Sequence, residues 1–112
     1  MADNAYKENK NVTLNQAEVS ALKKAILYLK FECEETSSLL YAGSPLINSV
    51  LSKLIEVDDL GEFSKGFYAK RNMSNEKIIQ DKKMRYALEI GKEYDPLHDD
   101  SFQDYIFPFP SP

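Results

Sequence analysis

The chain has 112 residues, one cysteine, one histidine, no tryptophan and a formal net charge of −4 at pH 7. This length builds a single domain with a modest core, and one cysteine excludes an intrachain disulfide, so we expect a reducing, cytoplasmic location. The longest apolar runs hold about five residues, far short of the ~20 that a membrane helix needs, which excludes a membrane span.

Charge is distributed unevenly along the chain. Residues 1–64 carry −4, residues 65–92 carry +5 and residues 93–112 carry −5. The mild overall acidity therefore hides a basic segment that is followed directly by an acidic tail. On this basis we divide the chain into a flexible lead-in (1–12), a helical domain (13–92) and an acidic, aromatic, proline-rich tail (93–112).

The apolar pattern predicts a long first helix over about 14–42. Thr13 is the predicted N-cap, with Gln16 completing a capping box. Thr36-Ser37-Ser38 are weak helix formers, so a kink or an early end there is the alternative. The apolar residues recur at spacings of three and four, which places them on one buried face; they are Val19, Leu22, Ile26, Leu29, Cys33 and Leu40.

A second helix is predicted over about 45–60. Gly43 suits the left-handed residue that closes the first helix, and Ser44-Pro45 suits the N-cap and first turn of the second. Gly61 is predicted to end this second helix. Because the connection is so short, the two helices are expected to pack as an antiparallel hairpin.

A third helix is predicted over about 75–92, capped by Ser74, after an irregular stretch at 61–73. Ile79, Tyr86 and Ile90 share one face of this helix. The predicted fold is therefore all-α: a helical hairpin plus a third helix in a small bundle, followed by an extended C-terminal tail.

Neither nucleophilic nor acid–base chemistry has a convincing set of residues. Cys33 lies among Glu32, Glu34 and Glu35, so we expect a small buried core residue and not a reactive thiolate. His98, Asp100 and Ser101 are the residue types of a proton relay, but they lie on a proline-flanked loop. Catalytic groups need a rigid scaffold to hold their geometry, so we do not expect a relay there. One cysteine and one histidine fall short of the four zinc ligands usually needed. We therefore predict no catalytic residues, no metal, no cofactor and no enzymatic activity.

The acidic tail has two interpretations. Its rings and acids either pack on the third helix of the same chain, around Met84 and Leu88, or dock as an extended peptide into another protein. In the second interpretation, the acidic strip could also occupy a nucleic-acid channel by imitating phosphate charge. A packed tail would add apolar burial to a small domain. The predicted partner contacts in the tail are Phe102, Asp104, Tyr105, Phe107 and Phe109.

The helices also carry apolar residues outside their main faces. Leu27 and Phe31 form a second stripe on the first helix, while Met84 and Leu88 point away from the main face of the third. These four residues are the predicted partner contacts on the helix surface. A homodimer and a different protein partner are both compatible with them.

The leading hypothesis is a small interaction module that acts as an accessory subunit, regulator or inhibitor by occupying a partner protein's surface. The alternative is a nucleic-acid-binding regulator that uses the basic segment 65–85, where positive charge would attract phosphate and aromatic rings would stack on bases. The residues predicted to contact nucleic acid in that alternative are Lys65, Lys70, Arg71, Lys82, Lys83 and Arg85.

Overall fold

The predicted all-α class is confirmed over residues 8–112, the part of the chain that a computed structural model describes. The predicted lead-in at 1–12 lies largely outside these residues. Short 3-10 turns at Thr36–Ser38 and Pro96–His98 connect some of the helices. The α-helices are α1 (Gln16–Phe31), α2 (Leu39–Ala42), α3 (Pro45–Val57), α4 (Gly61–Tyr68), α5 (Met73–Glu89) and α6 (Phe102–Ile106).

The N-terminus of α1 lies slightly later than predicted. Asn15, not Thr13, is the N-cap: its side chain accepts a hydrogen bond from the Glu18 N–H at 2.9 Å. The Glu18 carboxylate accepts one in return from the Asn15 N–H at 3.0 Å. Asn15 and Glu18 therefore form the capping box that was predicted for Thr13 and Gln16.

The continuous helix predicted over 14–42 is wrong, because α1 ends at Phe31. The next four residues include three glutamates, whose charge is unfavourable at the negative end of a helix dipole. Cys33 therefore lies beyond the helix and is only half-buried, which corrects its predicted place in the core. The chain reaches Ala42 through a 3-10 turn and the short α2.

The start of the second predicted helix is confirmed. The Ser44 hydroxyl accepts a hydrogen bond from the Ile47 N–H at 3.2 Å, and Pro45 occupies the first turn. Two predictions around this helix are wrong. Gly43 has a φ of −98° and is not left-handed. Gly61 does not end the helix but begins α4, which occupies residues 61–68 of the stretch predicted to be irregular at 61–73.

Hydrogen bonds at both ends show that α1 and α3 run antiparallel, as the predicted hairpin requires. At the start of α1, the Gln16 amide donates to the Asp58 carboxylate, just after α3, at 2.8 Å. In the last turn of α1, the Lys30 ammonium donates to the Asn48 side chain, in the first turn of α3, at 2.9 Å. Lys23 also forms an ion pair with Asp58. Bonds from Lys23, the Leu60 N–H and Gln16 lower the pKa of Asp58 to about 2.

α5 begins and ends earlier than the predicted third helix. Asn72, not Ser74, is its N-cap and accepts a hydrogen bond from the Asn75 N–H at 3.0 Å. The residues that α5 buries are Glu76, Ile79, Lys82 and Ala87, whereas Tyr86 and Ile90 are exposed. The core-facing side of the helix is therefore rotated from the predicted one.

Two clusters of buried residues form the core. The first lies mainly between α1 and α3 and contains Val19, Ile26, Leu51, Leu54 and Ile55. Leu27 and Tyr68 pack against both clusters and connect them. The second joins α1, α2, α5 and the C-terminal segment, and contains Phe31, Ala42, Ile79, Ile106 and Phe109.

The C-terminal tail is not extended but folds back onto the bundle. Ile106 and Phe109 are buried in the second cluster. The Phe109 ring lies edge-to-face against the rings of Phe31 at 5.6 Å and Tyr68 at 5.4 Å. These contacts give the tail the intrachain packing that was one of its two interpretations.

Two fully buried lysines connect the helix ends. The Lys82 ammonium donates to the backbone carbonyls of Leu29 and Lys30, both at 3.1 Å, in the last turn of α1. The Lys30 ammonium donates to the carbonyls of Ala42 at 2.5 Å and Asp104 at 3.2 Å. Carbonyls at helix C-termini lack partners within the helix and carry partial negative charge, so both ammonium groups act as C-terminal caps.

A methyl group at Gly43 should displace the tail. The Tyr105 ring lies so close to Gly43 that a Cβ there would overlap it. We expect Gly43→Ala to lower the free energy of unfolding by about 1–3 kcal/mol, the usual cost of overpacking. Urea denaturation followed by circular dichroism measures this change.

Gly66→Ala is the matched control. A Cβ at Gly66, in the middle of α4, would meet no atom within 4 Å. The control should be as stable as the parent or more stable by about 0.5–1 kcal/mol, because alanine favours helix. Equal stability of the Gly43→Ala variant and the parent would contradict the packing of Tyr105 on Gly43.

Stability should rise with pH between about 7 and 9. Burial lowers the pKa of Lys30 to about 7; the Asp104 carboxylate opposes this shift and Lys82 adds to it. Burial also lowers the pKa of Lys82. The unfolded chain therefore binds more protons than the folded chain in this window, so deprotonation stabilises the fold. We expect urea denaturation to give about 2 kcal/mol more stability at pH 9 than at pH 7 from Lys30.

The replacement of Lys30 by methionine tests the source of this pH dependence. Lys30→Met should flatten the rise, whereas Lys77→Met, at an exposed position of the same chain, should keep it. If Lys30→Met does not fold, NMR titration of labelled lysine side chains in the parent gives the pKa of Lys30 directly. A stability that is constant or falls over this range would show that Lys30 is not buried as a desolvated amine.

Candidate functional site

An open groove of about 700 Å³ lies between the 36–40 segment, the C-terminal half of α5 and the 92–99 loop. This volume is in the range of sites that bind ligands or side chains of partners. Leu39, Leu40, Ala87 and Ile90 supply aliphatic surface to it. The rings of Tyr86, Tyr94 and Tyr105 also line it. The groove is therefore a largely apolar and aromatic concavity.

Three hydrogen-bonded connections hold the 36–40 segment, and Glu34 just before it, against α5. Lys82 donates to the Ser38 hydroxyl at 2.8 Å. The Thr36 hydroxyl contacts both oxygens of the Glu89 carboxylate, at 2.8 and 3.0 Å. The Arg85 guanidinium donates to the Glu34 carbonyl at 2.8 Å. These bonds fix the largely irregular 36–40 segment to the long helix α5. The two walls of the groove that these elements form therefore have a defined separation.

The third wall, the 92–99 loop, is attached through Asp99. Its carboxylate forms an ion pair with Lys83 at 2.5 Å and accepts a hydrogen bond from the Tyr94 hydroxyl at 2.6 Å. Lys83 also lies over the Tyr105 ring, 3.8 Å from its centroid. Asp99 thereby joins the loop to α5, while Lys83 joins α5 to α6.

The electrostatics of this wall agree with its geometry. Burial opposes the charged form of Asp99, but hydrogen bonds from Lys83, Tyr94 and Ser101 outweigh it and lower the pKa of Asp99. Burial and the hydrogen bond to Asp99 raise the pKa of Tyr94 far above its ordinary value. Asp99 is therefore a carboxylate, and Tyr94 a neutral phenol, at neutral pH.

The groove exposes apolar side chains to solvent. Leu40 is 74% exposed, Ile90 49% and Tyr86 41%. On the neighbouring surface of α5, Met84 and Leu88 are also exposed. Single exposed apolar residues are common on proteins, but a group of them around one concavity is typical of binding surfaces.

The structure separates the tail residues that were predicted to contact a partner. Phe109 is buried in the core, so its prediction as an exposed contact is wrong. Phe102, Tyr105 and Phe107 are half-buried against the chain's own core clusters. The Asp104 carbonyl accepts from Lys30 and from the Asn48 amide, the latter at 2.8 Å. Of these five residues, Tyr105 lines the groove.

The four predicted contacts on the helix surface divide into two pairs. Phe31 is buried and Leu27 packs against both core clusters, so their prediction as a partner-facing stripe is wrong. Met84 and Leu88 are exposed, as that prediction requires. Leu27 and Phe31 point inward because α1 buries a different face from the predicted one. The buried residues of α1 are Val19, Ile26, Lys30 and Phe31.

Most of the predicted nucleic-acid contacts are engaged within the chain. Lys82 is fully buried, so it cannot reach a phosphate, and this prediction is wrong. Lys65 pairs with Glu56 at 3.3 Å, and Arg71 with Glu76 at 2.8 Å. Lys83 pairs with Asp99, and Arg85 donates to the Glu34 carbonyl. Lys70 is exposed.

The imagined proton relay is not assembled. His98 is exposed and contacts Asp95, with its Nδ1 2.6 Å from the carboxylate. The Ser101 hydroxyl donates to Asp99 at 2.9 Å. Within residues 8–112, no group of three or more histidine, cysteine, aspartate or glutamate side chains is placed to hold a metal ion. Nor does this part of the chain contain a helix long and apolar enough to cross a membrane.

Comparison with known proteins found no matching family model, no matching curated protein and no matching solved structure. Function must therefore be inferred from the chain's own residues. Sequence reasoning missed Leu40 as a surface residue because periodicity assigned it to a buried face, and it did not name Tyr86 or Ile90 as partner contacts. The weak helix formers Thr36-Ser37-Ser38 were the available signal, since a break there changes the orientation of Leu40.

The groove should lose its third wall when Asp99 becomes neutral. Asp99→Asn removes the ion pair with Lys83 and the charge that the Tyr94 hydroxyl bonds to. We expect a loss of about 1–3 kcal/mol in stability, the usual contribution of hydrogen bonds to a charged group. Faster amide hydrogen exchange is expected at 92–99. Asp100→Asn, at an exposed neighbouring position, is the control and should change neither quantity. Unchanged exchange in Asp99→Asn would contradict the attachment of the loop through this carboxylate.

Proposed function

We propose that this protein is a non-enzymatic protein–protein interaction module that binds its partner through the groove between the 36–40 segment, α5 and the 92–99 loop. Bound there, it acts as an accessory subunit, regulator or inhibitor by occupying a surface of the partner. The observation that carries the proposal is the exposure of Leu40, Tyr86 and Ile90 around a concavity of about 700 Å³.

The construction of the groove supports this function. Its walls are joined by Lys82, Thr36 and Asp99, so a partner would meet a preformed surface and little ordering entropy would be lost on binding. Aliphatic and aromatic side chains bury the area that anchors protein interfaces. Leu40 is far more exposed than a core leucine, so this surface is not needed for the fold itself.

A nucleic-acid-binding function has weaker support. Five of the six predicted contacts bond within the chain, and one of these, Lys82, is fully buried. Phosphate binding would have to compete with these intrachain bonds.

The proposal also keeps the cytoplasmic location expected from the single cysteine.

Site-specific photocrosslinking tests the proposed surface. A photoreactive amino acid is placed at position 40 or 90, and in a control at position 46, where Leu46 is 80% exposed on α3 and does not line the groove. In a lysate of the source cells, positions 40 and 90 should give the same discrete crosslinked protein and position 46 should not. Leu40→Ser should abolish the crosslink formed from position 90.

The stability of Leu40→Ser distinguishes binding from folding. Because Leu40 is exposed, this substitution should change the free energy of unfolding by no more than about 0.5 kcal/mol. A variant that keeps its stability but loses the crosslink supports the proposal. Identical crosslinks from positions 40, 46 and 90, or none from 40 and 90, would overturn it.

A further inference from the structure

The rim of the groove is acidic. Glu35 precedes the Thr36 wall, and Glu89 contacts the Thr36 hydroxyl. Glu93 and Asp95 line the loop wall, and all four carboxylates are exposed. Lys92 is the exposed lysine among the lining residues.

The cations near the groove do not outweigh these carboxylates. Lys83 and Asp99 form a close ion pair with both side chains mostly buried, so they contribute little net field. Arg85 donates to the neutral backbone carbonyl of Glu34, so its positive charge counts beside that of Lys92. His98 contacts Asp95 and can offset part of that one carboxylate when protonated. The four exposed carboxylates outnumber Lys92 and Arg85, so the net charge of the rim is negative.

The α5 wall of the groove has the length of a short helix. From Lys83 to its C-cap Ile90, α5 spans about 10 Å, roughly two helical turns. Leu40 lines the 36–40 wall, while Tyr86 and Ile90 line the α5 wall, so apolar surface is present on both. An amphipathic helix can lay its apolar face into such a groove and keep its charged flanks at the rim.

We infer that the groove receives a cationic amphipathic helix of a partner protein, about two turns of which make contact. This inference rests on the proposed function and specifies the chemistry of its partner. Apolar side chains of that helix contact Leu40, Tyr86 and Ile90, and its lysines or arginines lie against Glu35, Glu89, Glu93 and Asp95. The opposite charges accelerate association and exclude acidic helices, while the apolar contacts supply most of the affinity.

Designed peptides test this chemistry on the full chain. The probe is a peptide of about 14 residues, roughly four turns, with leucine and lysine in amphipathic helical order. One comparison peptide has glutamate in place of lysine, and another has the leucine–lysine composition in an order without an apolar face. NMR titration of the isotope-labelled protein should show the basic amphipathic peptide binding at least tenfold tighter than either. Its affinity should fall several-fold between 50 and 300 mM NaCl.

Matched variants locate the binding. Ile90→Ser should weaken the basic peptide about tenfold, and Glu93→Lys should weaken it several-fold and reduce the salt dependence. Leu46→Ser and Glu62→Lys make the same chemical changes at exposed positions on α3 and α4, and should leave affinity unchanged. Shifted resonances should cluster at residues 35–40, 83–90 and 92–99.

Three outcomes would overturn the inference: equal affinity for the acidic peptide, equal affinity for the peptide without an apolar face, or binding unaffected by Ile90→Ser. Sedimentation that shows a dimer disrupted by Ile90→Ser would assign the groove to a second copy of this chain instead. Crosslinking separates this result from the proposed function. A specific crosslink at positions 40 and 90 without preference for the basic peptide refutes only the cationic partner, whereas absence of the crosslink refutes the proposed function itself.

Discussion

The structure depends on two buried lysine side chains that cap helix C-termini. Lys82, from α5, donates to carbonyls in the last turn of α1, one of which belongs to Lys30. The Lys30 side chain then donates to Ala42 at the end of α2 and to Asp104 in α6. Buried charge is costly, and the partial negative charge of converging helix ends and three oxygen partners for each lysine offset only part of that cost. The remainder is why burial lowers the pKa of both lysines. Because Lys30 also donates to Asn48 in α3, five helices are joined through these two side chains.

This arrangement explains how so small a chain presents a groove with defined walls. The 36–40 segment contains a single 3-10 turn and the start of a short helix, so its backbone has few internal hydrogen bonds. Lys82 attaches it to α5 through Ser38, and Glu89 attaches it through Thr36. Because polar contacts hold this segment in place, Leu40 is not needed for packing and remains on the surface. The same bonds that stabilise the fold therefore determine which apolar residues are exposed to a partner.

The helix class, the Ser44-Pro45 start and the antiparallel hairpin follow from local rules and could be predicted. The orientation of α1 could not, because the periodic pattern counts only apolar residues, whereas the long side chain of Lys30 reaches carbonyls across the core. In α5, Lys82 was predicted to contact nucleic acid at the surface, whereas its side chain is fully buried. The tail depends on long-range packing of Tyr105 on Gly43 and Phe109 on Phe31, which no local pattern specifies. The groove was missed because it is formed by these tertiary contacts.

Folding neutralises much of the basic segment that precedes the acidic tail along the sequence. A basic segment beside an acidic tail suggested either nucleic-acid binding or a tail that covers the basic helix. In the folded chain, Asp99 neutralises Lys83, and other bases of the segment pair with Glu56 and Glu76. The carboxylates that remain in excess around the groove then give its rim a net negative charge. Since phosphate would be repelled there and cationic side chains attracted, the same charge pattern that hinted at nucleic acid favours a basic protein partner.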